Sequence, residues 1–313
     1  MSYILKRMVT LLITLILVSI FTFGVFNVIP GDPALVMLGT EATPQQVQAL
    51  RQELGLNKSL SERYIDWIKN FVRGDFGRSI RFAEPVKDLI SKRIPVTLSL
   101  AILSLIMIFV ISIPLGIYSA QKEGSLVDTI INVICQINIA IPSFFLGVLL
   151  IWIFGIIFKI FSPGAYIDYS EDFVGFLKYM IMPSLAIALP NIAIVVKFLR
   201  ASVIKENRKD YVRTAYSKGN KERNVLYGHV LKNSLITIIT LMGMIIAGIL
   251  GGSIIVEQIF SLPGIGNLLI MSISTRDFPL TETLVIYLAF IVVFINFLVD
   301  ILYQVIDPRI RLA

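Results

Sequence analysis

The sequence is poor in the residues from which most active sites are built. One cysteine, Cys135, and one histidine, His229, stand among 313 residues. No disulfide framework, no C-x-x-C site and no histidine-pair metal site can form within the chain. No Gly-Lys dipeptide occurs, so the phosphate-cradling loop of the common nucleotide-binding proteins is excluded. Neither H-E-x-x-H nor G-x-S-x-G is present, which leaves an intramembrane enzyme without a nucleophile–base pair or a metal site. Charge is scarce as well: 16% of residues are charged, against about 25% in soluble domains. Low-complexity tracts and inverted internal repeats are not visible.

What is abundant is apolar. Hydrophobic residues make up 56% of the chain and the mean hydropathy is +0.82, which is membrane composition. The net charge of +7 could suggest a nucleic-acid partner. The basic residues concentrate beside apolar runs, however, and membrane topology accounts for that placement without nucleic acid. Six runs have the length of a bilayer crossing, at about 8–29, 95–119, 127–158, 180–199, 234–256 and 283–304. The first is longer than the apolar core of a signal peptide and no A-x-A-like site follows it, so it reads as an uncleaved anchor with Lys6 and Arg7 in the cytoplasm. Six crossings return the C-terminus to the cytoplasm, in agreement with the basic tail Asp307–Arg311. The third run is long enough to tilt or to break near Pro142.

The expected organisation is an all-α polytopic membrane protein. Residues 1–29 form the cytoplasmic start and first anchor, 30–94 an external helical region, and 95–313 a five-span core. The external region carries ten Lys/Arg, balanced by eight acids, and it is longer than about 60 residues, a length at which the positive-inside rule has little force. It holds amphipathic patterns at Gln45–Gly55, with Val47, Leu50 and Leu54 on one face, and at Leu60–Arg73, with Tyr64, Trp67, Ile68 and Phe71 together. A third pattern, Pro85–Arg93, is expected to end before Ile94-Pro95 opens the second span. This cap either lies on the outer membrane surface or presents a docking surface to an external protein.

The most polar connection runs from Lys197 to Lys232, with ten Lys/Arg and three acids. Within it Asp210-Tyr211-Val212-Arg213-Thr214-Ala215-Tyr216-Ser217-Lys218-Gly219 reads as a short helix, with Asp210 as N-cap and Gly219 as the residue that stops it. The plainer reading is a basic loop held by lipid headgroups. The apolar ridge Tyr211, Val212, Ala215 and Tyr216 favours a packed partner.

Polar residues inside spans raise a second group of candidates. Gln136, Asn138 and Asn191 either line a translocation path or join helices by hydrogen bonds. Glu257, Pro263 and Gly264 form either a structural turn or an outer gate. Asn296, Asp300 and Gln304 share one face of the last span, with Asp300 placed to snorkel or to pair with a local cation. Gly243, Ala247, Gly248, Gly251 and Gly252 give small-residue spacing for close helix packing, within the chain or against a partner.

Several motifs then recur in a fixed order: ILKR at the start, Pro30–Ala34, Gly74–Ser79 (GDFGRS), Val96-Thr97-Leu98, DYVRTAYSKG followed by HVLKNSL, Gly251–Gly266 (GGSIIVEQIFSLPGIG), Arg276–Pro279 (RDFP) and Asp307–Arg311 (DPRIR). Together they resemble the permeases of ATP-binding-cassette importers, specifically the dipeptide/oligopeptide/nickel group, over essentially the whole chain. The loop around 210–219 resembles that family's EAA loop, with Arg213-Thr214-Ala215 in place of Glu-Ala-Ala and the spacing to Gly219 kept. The resemblance implies a second homologous permease, two cytoplasmic ATPases and an external substrate-binding protein as partners. It implies no cofactor, no metal site and no catalysis in this chain. It places the 210–219 helix in a groove of one ATPase, with Gly219 making a tight turn that a Cβ would obstruct. Peptides are the expected substrates, with nickel or a metal chelate the alternative, and a non-transporting scaffold the rival reading.

Overall fold

A computed structural model describes residues 3–28, 33–38, 42–53 and 55–306. The Pro30–Asp32 part of the motif after the first span, Leu54 and the 307–311 tail lie outside the described residues, as do the side chains of Leu50 and Gln304. Among the described residues the regular structure is all helix, with a single isolated β-bridge between Arg78 and Pro85. In order the helices are α1 (Tyr3–Val28), α2 (Pro33–Leu38), α3 (Pro44–Glu53), α4 (Leu60–Val72), α5 (Val86–Gln121), α6 (Leu126–Ala140), α7 (Ser143–Leu150), α8 (Phe173–Asn207), α9 (Asp210–Ser217), α10 (Glu222–Val225), α11 (Leu231–Ile259), α12 (Ile265–Ser274) and α13 (Phe278–Ile306). A wider-wound π turn, Ile151–Ile157, continues α7, and another, Leu226–Val230, joins α10 to α11.

Four helical stretches are long and apolar enough to cross a membrane: Leu5–Val28, Val86–Gln121, Phe173–Asn207 and Phe278–Ile301. A fifth crossing arises if Leu126–Ala140 and Ser143–Ile157 count together, although they are bent by 102°. The single run 127–158 is therefore two legs, and the break falls at Ile141-Pro142. Proline lacks the N–H that the preceding turn requires, and it disfavours helical backbone in the residue before it. Helix α11 is continuous over 29 residues and contains the run expected at 234–256.

Pro95 behaves differently from Pro142. The expected amphipathic helix 85–93 and the second span are one 36-residue helix, α5, with Pro95 inside it. After the buried Val86, the buried pair Leu89 and Ile90 recurs seven residues on, across the proline, as Val96 and Thr97, and Leu100 and Ala101 follow four residues later. The apolar stripe thus stays in phase, and packing along it outweighs the single lost backbone bond.

By internal contacts the chain divides into two units. The first comprises Met1–Pro95 and Pro263–Phe294, the second Val96–Leu262 and Ile295–Ala313. In the first unit, α4 begins with a capping box: Ser59 accepts from the Glu62 backbone N–H, and the Glu62 carboxylate accepts from the Ser59 N–H. Its aromatic face is laid on α1. Tyr64 and Trp67 sit 5.4 and 5.7 Å from the Phe23 ring, Phe71 continues the cluster to Phe76, and the Tyr64 hydroxyl meets Ser19 Oγ at 2.8 Å. A second apolar cluster joins Val86, Leu89 and Ile90 to Ile265, Leu268, Leu280 and Leu284.

The face of α4 that the periodicity marks is thus covered by the chain's own first helix. Trp67→Asp is expected to cost about 2–4 kcal/mol, because a carboxylate replaces ring contacts in an apolar cluster. Thermal unfolding of the solubilised protein checks this, with Ile65→Asp on the exposed side of the same helix expected to change little.

In the second unit one cluster runs from Val96 to Leu262, with Leu100, Ile108, Met180, Ile187, Leu199 and Phe260 fully buried. The Tyr179 hydroxyl donates to the Phe260 carbonyl at 2.7 Å and accepts from the Gly164 N–H at 3.0 Å. This fixes the turn that closes α11 against α8.

Candidate functional site

Helix α9 hangs between the ends of α8 and α11. Its C-terminus is a complete Schellman cap. Gly219 N–H donates to the Tyr216 carbonyl at 2.9 Å and Asn220 N–H to the Ala215 carbonyl at 3.4 Å, with Gly219 at φ +77°. A Cβ built on Gly219 meets no atom within 4 Å. The glycine is needed for its left-handed backbone: the tight turn expected from the sequence is present, and a Cβ is strained there by the backbone itself rather than by a neighbouring side chain. At the other end Lys209 takes the N-cap position, without a side-chain bond, and Asp210 is the first helical residue. There its charge faces the positive end of the helix dipole rather than capping it.

The apolar ridge divides. Val212 is 1% exposed and Ala215 is 9%, and both join Val225, Leu226 and Val230 in the chain's own core. Tyr211 and Tyr216 are more than a third exposed, and Arg213, Thr214, Lys218 and Gly219 face outward with Asp210. The helix is therefore seated on its own subunit by two small residues and shows a surface of mixed charge and aromatic rings.

Polar bonds fix its orientation. The Tyr211 hydroxyl donates to Glu206 Oε1 at 2.9 Å and accepts from Asn233 Nδ2 at 3.1 Å, while Lys209 Nζ pairs with Glu206 Oε2 at 2.7 Å. Partial burial, together with the Glu206 carboxylate beside it, pushes the Tyr211 phenol up from its ordinary value. It stays a protonated donor. The end of α8 is tied in turn to the turn after α5. Arg208 Nη2 meets Glu123 Oε1 at 2.8 Å in an exposed pair of small energetic weight. Eight residues earlier Arg200 grips Asp128 with two bonds of 2.6 Å.

The polar span residues are not brought together. Gln136 of α6 accepts from Lys197 Nζ of α8 at 2.7 Å, so it links two helices. Asn138 and Asn191 donate to carbonyls four residues back on their own helices, at 2.9 Å each. Glu257 is fully buried and accepts from Thr97 Oγ1 at 2.7 Å, and its carbonyl accepts from the Leu262 N–H. Gly264 caps α12 in extended backbone, following Pro263. The small-residue stripe also divides: Gly243 lies against Val299 and Gly252 against Ser143, whereas a Cβ on Gly248 or Gly251 would meet nothing within 4 Å. Among the described residues no three His, Cys, Asp or Glu side chains lie together as a metal site.

Two acids that sequence reasoning did not single out each hold several bonds. Asp128 and Asp277 are 4% and 0% exposed and each gathers donors from distant segments. The available signal was chemical: an isolated acid at the edge of an apolar run must find donors.

Comparison with known proteins places the whole chain. Residues 112–312 match the family described as binding-protein-dependent transport system inner membrane component, and residues 1–101 match the N-terminal model of the same membrane components. A putative peptide transport system permease of Brucella abortus strain 2308 is 36% identical over 310 residues, covering 99% of both chains. The oligopeptide transport system permease protein AppB of Bacillus subtilis is 35% identical over 313 residues, again 99% of each. The glutathione transport system permease protein GsiC of Escherichia coli O1:K1 is 35% identical over 311 residues, 99% of each. With family models covering nearly all of its length and relatives matching it end to end, the chain belongs to the binding-protein-dependent transport system inner membrane components, the permeases of ABC transporters.

Proposed function

We propose that this chain is one of two permeases in an ATP-driven importer of short peptides, glutathione-like peptides included. It crosses the inner membrane six times, with both termini in the cytoplasm. Residues 1–29 anchor it, residues 30–94 form an external cap that meets a substrate-binding protein, and residues 95–313 form the permease core. Helix α9 seats on one of two cytoplasmic ATPases, and their closure moves α9, α8 and α11 between inward- and outward-facing arrangements. No bond is made or broken in this chain, because the ATPases do the chemistry. Gln136, Asn138, Asn191, Glu257, Pro263 and Gly264 are the candidate path and gate residues.

The observation that carries this reading is α9: a helix closed by a C-terminal cap and seated by two buried residues, with Asp210, Arg213, Thr214, Tyr216 and Lys218 left exposed. Peptide as the substrate class is supported by the relatives' names and by full-length similarity to them. The test is purification of the tagged chain from its native membrane in mild detergent, with mass spectrometry of what accompanies it. The expected result is a second permease and ABC ATPases, whose operon also encodes a peptide-binding protein. Recovery of the chain alone, under conditions that keep another ABC importer intact, would favour a scaffold.

A further inference from the structure

The buried acid Asp128 is saturated with donors. Arg200 Nε donates to Oδ1 and Arg200 Nη2 to Oδ2, both at 2.6 Å; Ser119 Oγ and Asn132 Nδ2 reach Oδ1 at 2.6 and 2.8 Å; the Gly124 N–H reaches Oδ2 at 3.0 Å. These donors come from the end of α5, the turn after it, α6 and α8. Two carboxylate oxygens offer about four lone-pair directions, so the acceptor capacity is filled. An ion pair whose acid has that many partners at 4% exposure is costly to open, because parting it would strand the Asp128 carboxylate away from water, while Arg200 keeps about a quarter of its side chain exposed. A gate needs two arrangements of similar energy, and this pair favours one.

We propose that Asp128 and Arg200 are positioning residues that form a permanent joint: they make the α5–α6 turn move with α8, and so pass displacement of α9 to the membrane-spanning helices. The joint lies on the helix that leads into α9, two turns before Arg208. The Arg208–Glu123 pair attaches to the same turn but is exposed, so the load falls on Asp128 and Arg200. This rests on the reading of α9 as the ATPase contact.

The test places nitroxide labels on cysteines at the exposed positions Lys122 and Lys205, in a Cys135→Ala background, and measures their separation by pulsed EPR. The full assembly is compared without nucleotide and trapped with ATP and vanadate. In the native assembly the separation is expected to be narrow and the same in both states. In Asp128→Asn it is expected to broaden about twofold and to shift with nucleotide, as the joint samples two arrangements. Asp128→Glu, which keeps the charge, should restore most of the narrowness. A purely structural role would not make the separation depend on nucleotide.

A nucleotide-dependent separation in the native assembly would overturn the proposal, and so would an unchanged one in Asp128→Asn. If Asp128→Asn does not assemble, the native measurement still decides. Absence of ATPases from the purified assembly would refute the reading of α9. The separation in the isolated chain scores the joint independently of that outcome.

Discussion

Gly219→Val is expected to leave the chain in the membrane at its normal level and to reduce uptake by the assembled importer by about tenfold or more. The reasoning begins with the backbone. Gly219 stands at φ +77°, where a residue bearing a Cβ pays about 1–2 kcal/mol and a β-branched one more. Space is not the obstacle, since a Cβ at this site touches nothing in the chain. The strain is relieved by giving up the two Schellman bonds, which frees the last turn of α9 and moves Tyr216 and Lys218. If α9 is the ATPase contact proposed above, about 1.4 kcal/mol of misplacement there corresponds to a tenfold change in affinity. Gly219→Asn separates strain from bulk, because asparagine tolerates this backbone region better than other residues. It should retain most of the uptake. If valine and asparagine act alike, or if valine is harmless, the cap is not what positions the helix. Transport by proteoliposomes and retention of the ATPases on the tagged chain are the two readouts.

How much of this was readable beforehand depends on where polar and apolar residues alternate. Helix α9 was legible almost to the residue, because Asp210 and Gly219 punctuate a polar segment. The break at Pro142 and the pattern of α4 were legible for similar reasons. Which side of each span faces the core was not. In a membrane helix both the lipid side and the packed side are apolar, so the pattern loses its phase. Val110 is 66% exposed while Ile108, two residues earlier, is fully buried, and nothing in their chemistry separates them. The burial of Val212 and Ala215 beneath α9 was hidden for another reason: a short amphipathic ridge looks the same whether it packs on its own chain or on a partner. The continuity of α5 through Pro95 is not legible from the local rule for proline, because the packing that overrides it lies beyond the proline. Long-range pairings were the least accessible. GDFGRS and RDFP both stood out as motifs, yet one sequence does not say that they meet.

They meet at Asp277, and its removal is expected to produce the largest loss of local stability around residues 79–82 and the start of α13. The carboxylate, fully buried, lies 198 residues from the serine that donates to it, Ser79. Its Oδ1 accepts from the Ile80 N–H at 3.2 Å and the Leu280 N–H at 3.4 Å, and its Oδ2 accepts from Ser79 Oγ and, at 3.2 Å, from the Arg81 N–H. One residue therefore caps the first turn of α13 and receives the loop 79–82. Ser79 passes the constraint onward by accepting from the Phe82 N–H at 3.0 Å. All of these partners are donors, so an acid is required. Asp277→Asn would keep the shape but set an NH2 group against at least one of them, which makes it nearly as damaging as Asp277→Ala. Each buried donor left without an acceptor costs about 1–3 kcal/mol, and loss of the helix cap adds about 1 kcal/mol. A total near 3–5 kcal/mol follows for either substitution, against about 1 kcal/mol for Ser79→Ala, which keeps the two backbone bonds. Limited trypsin digestion measures this directly, since Arg78 and Arg81 flank the anchored stretch. Cleavage there should accelerate by more than about a hundredfold in the Asp277 variants, as 1.4 kcal/mol corresponds to a factor of ten in the open population, and only a few-fold in Ser79→Ala. Equal acceleration in all three would mean that Ser79 alone holds the loop and that the backbone bonds to Asp277 contribute nothing.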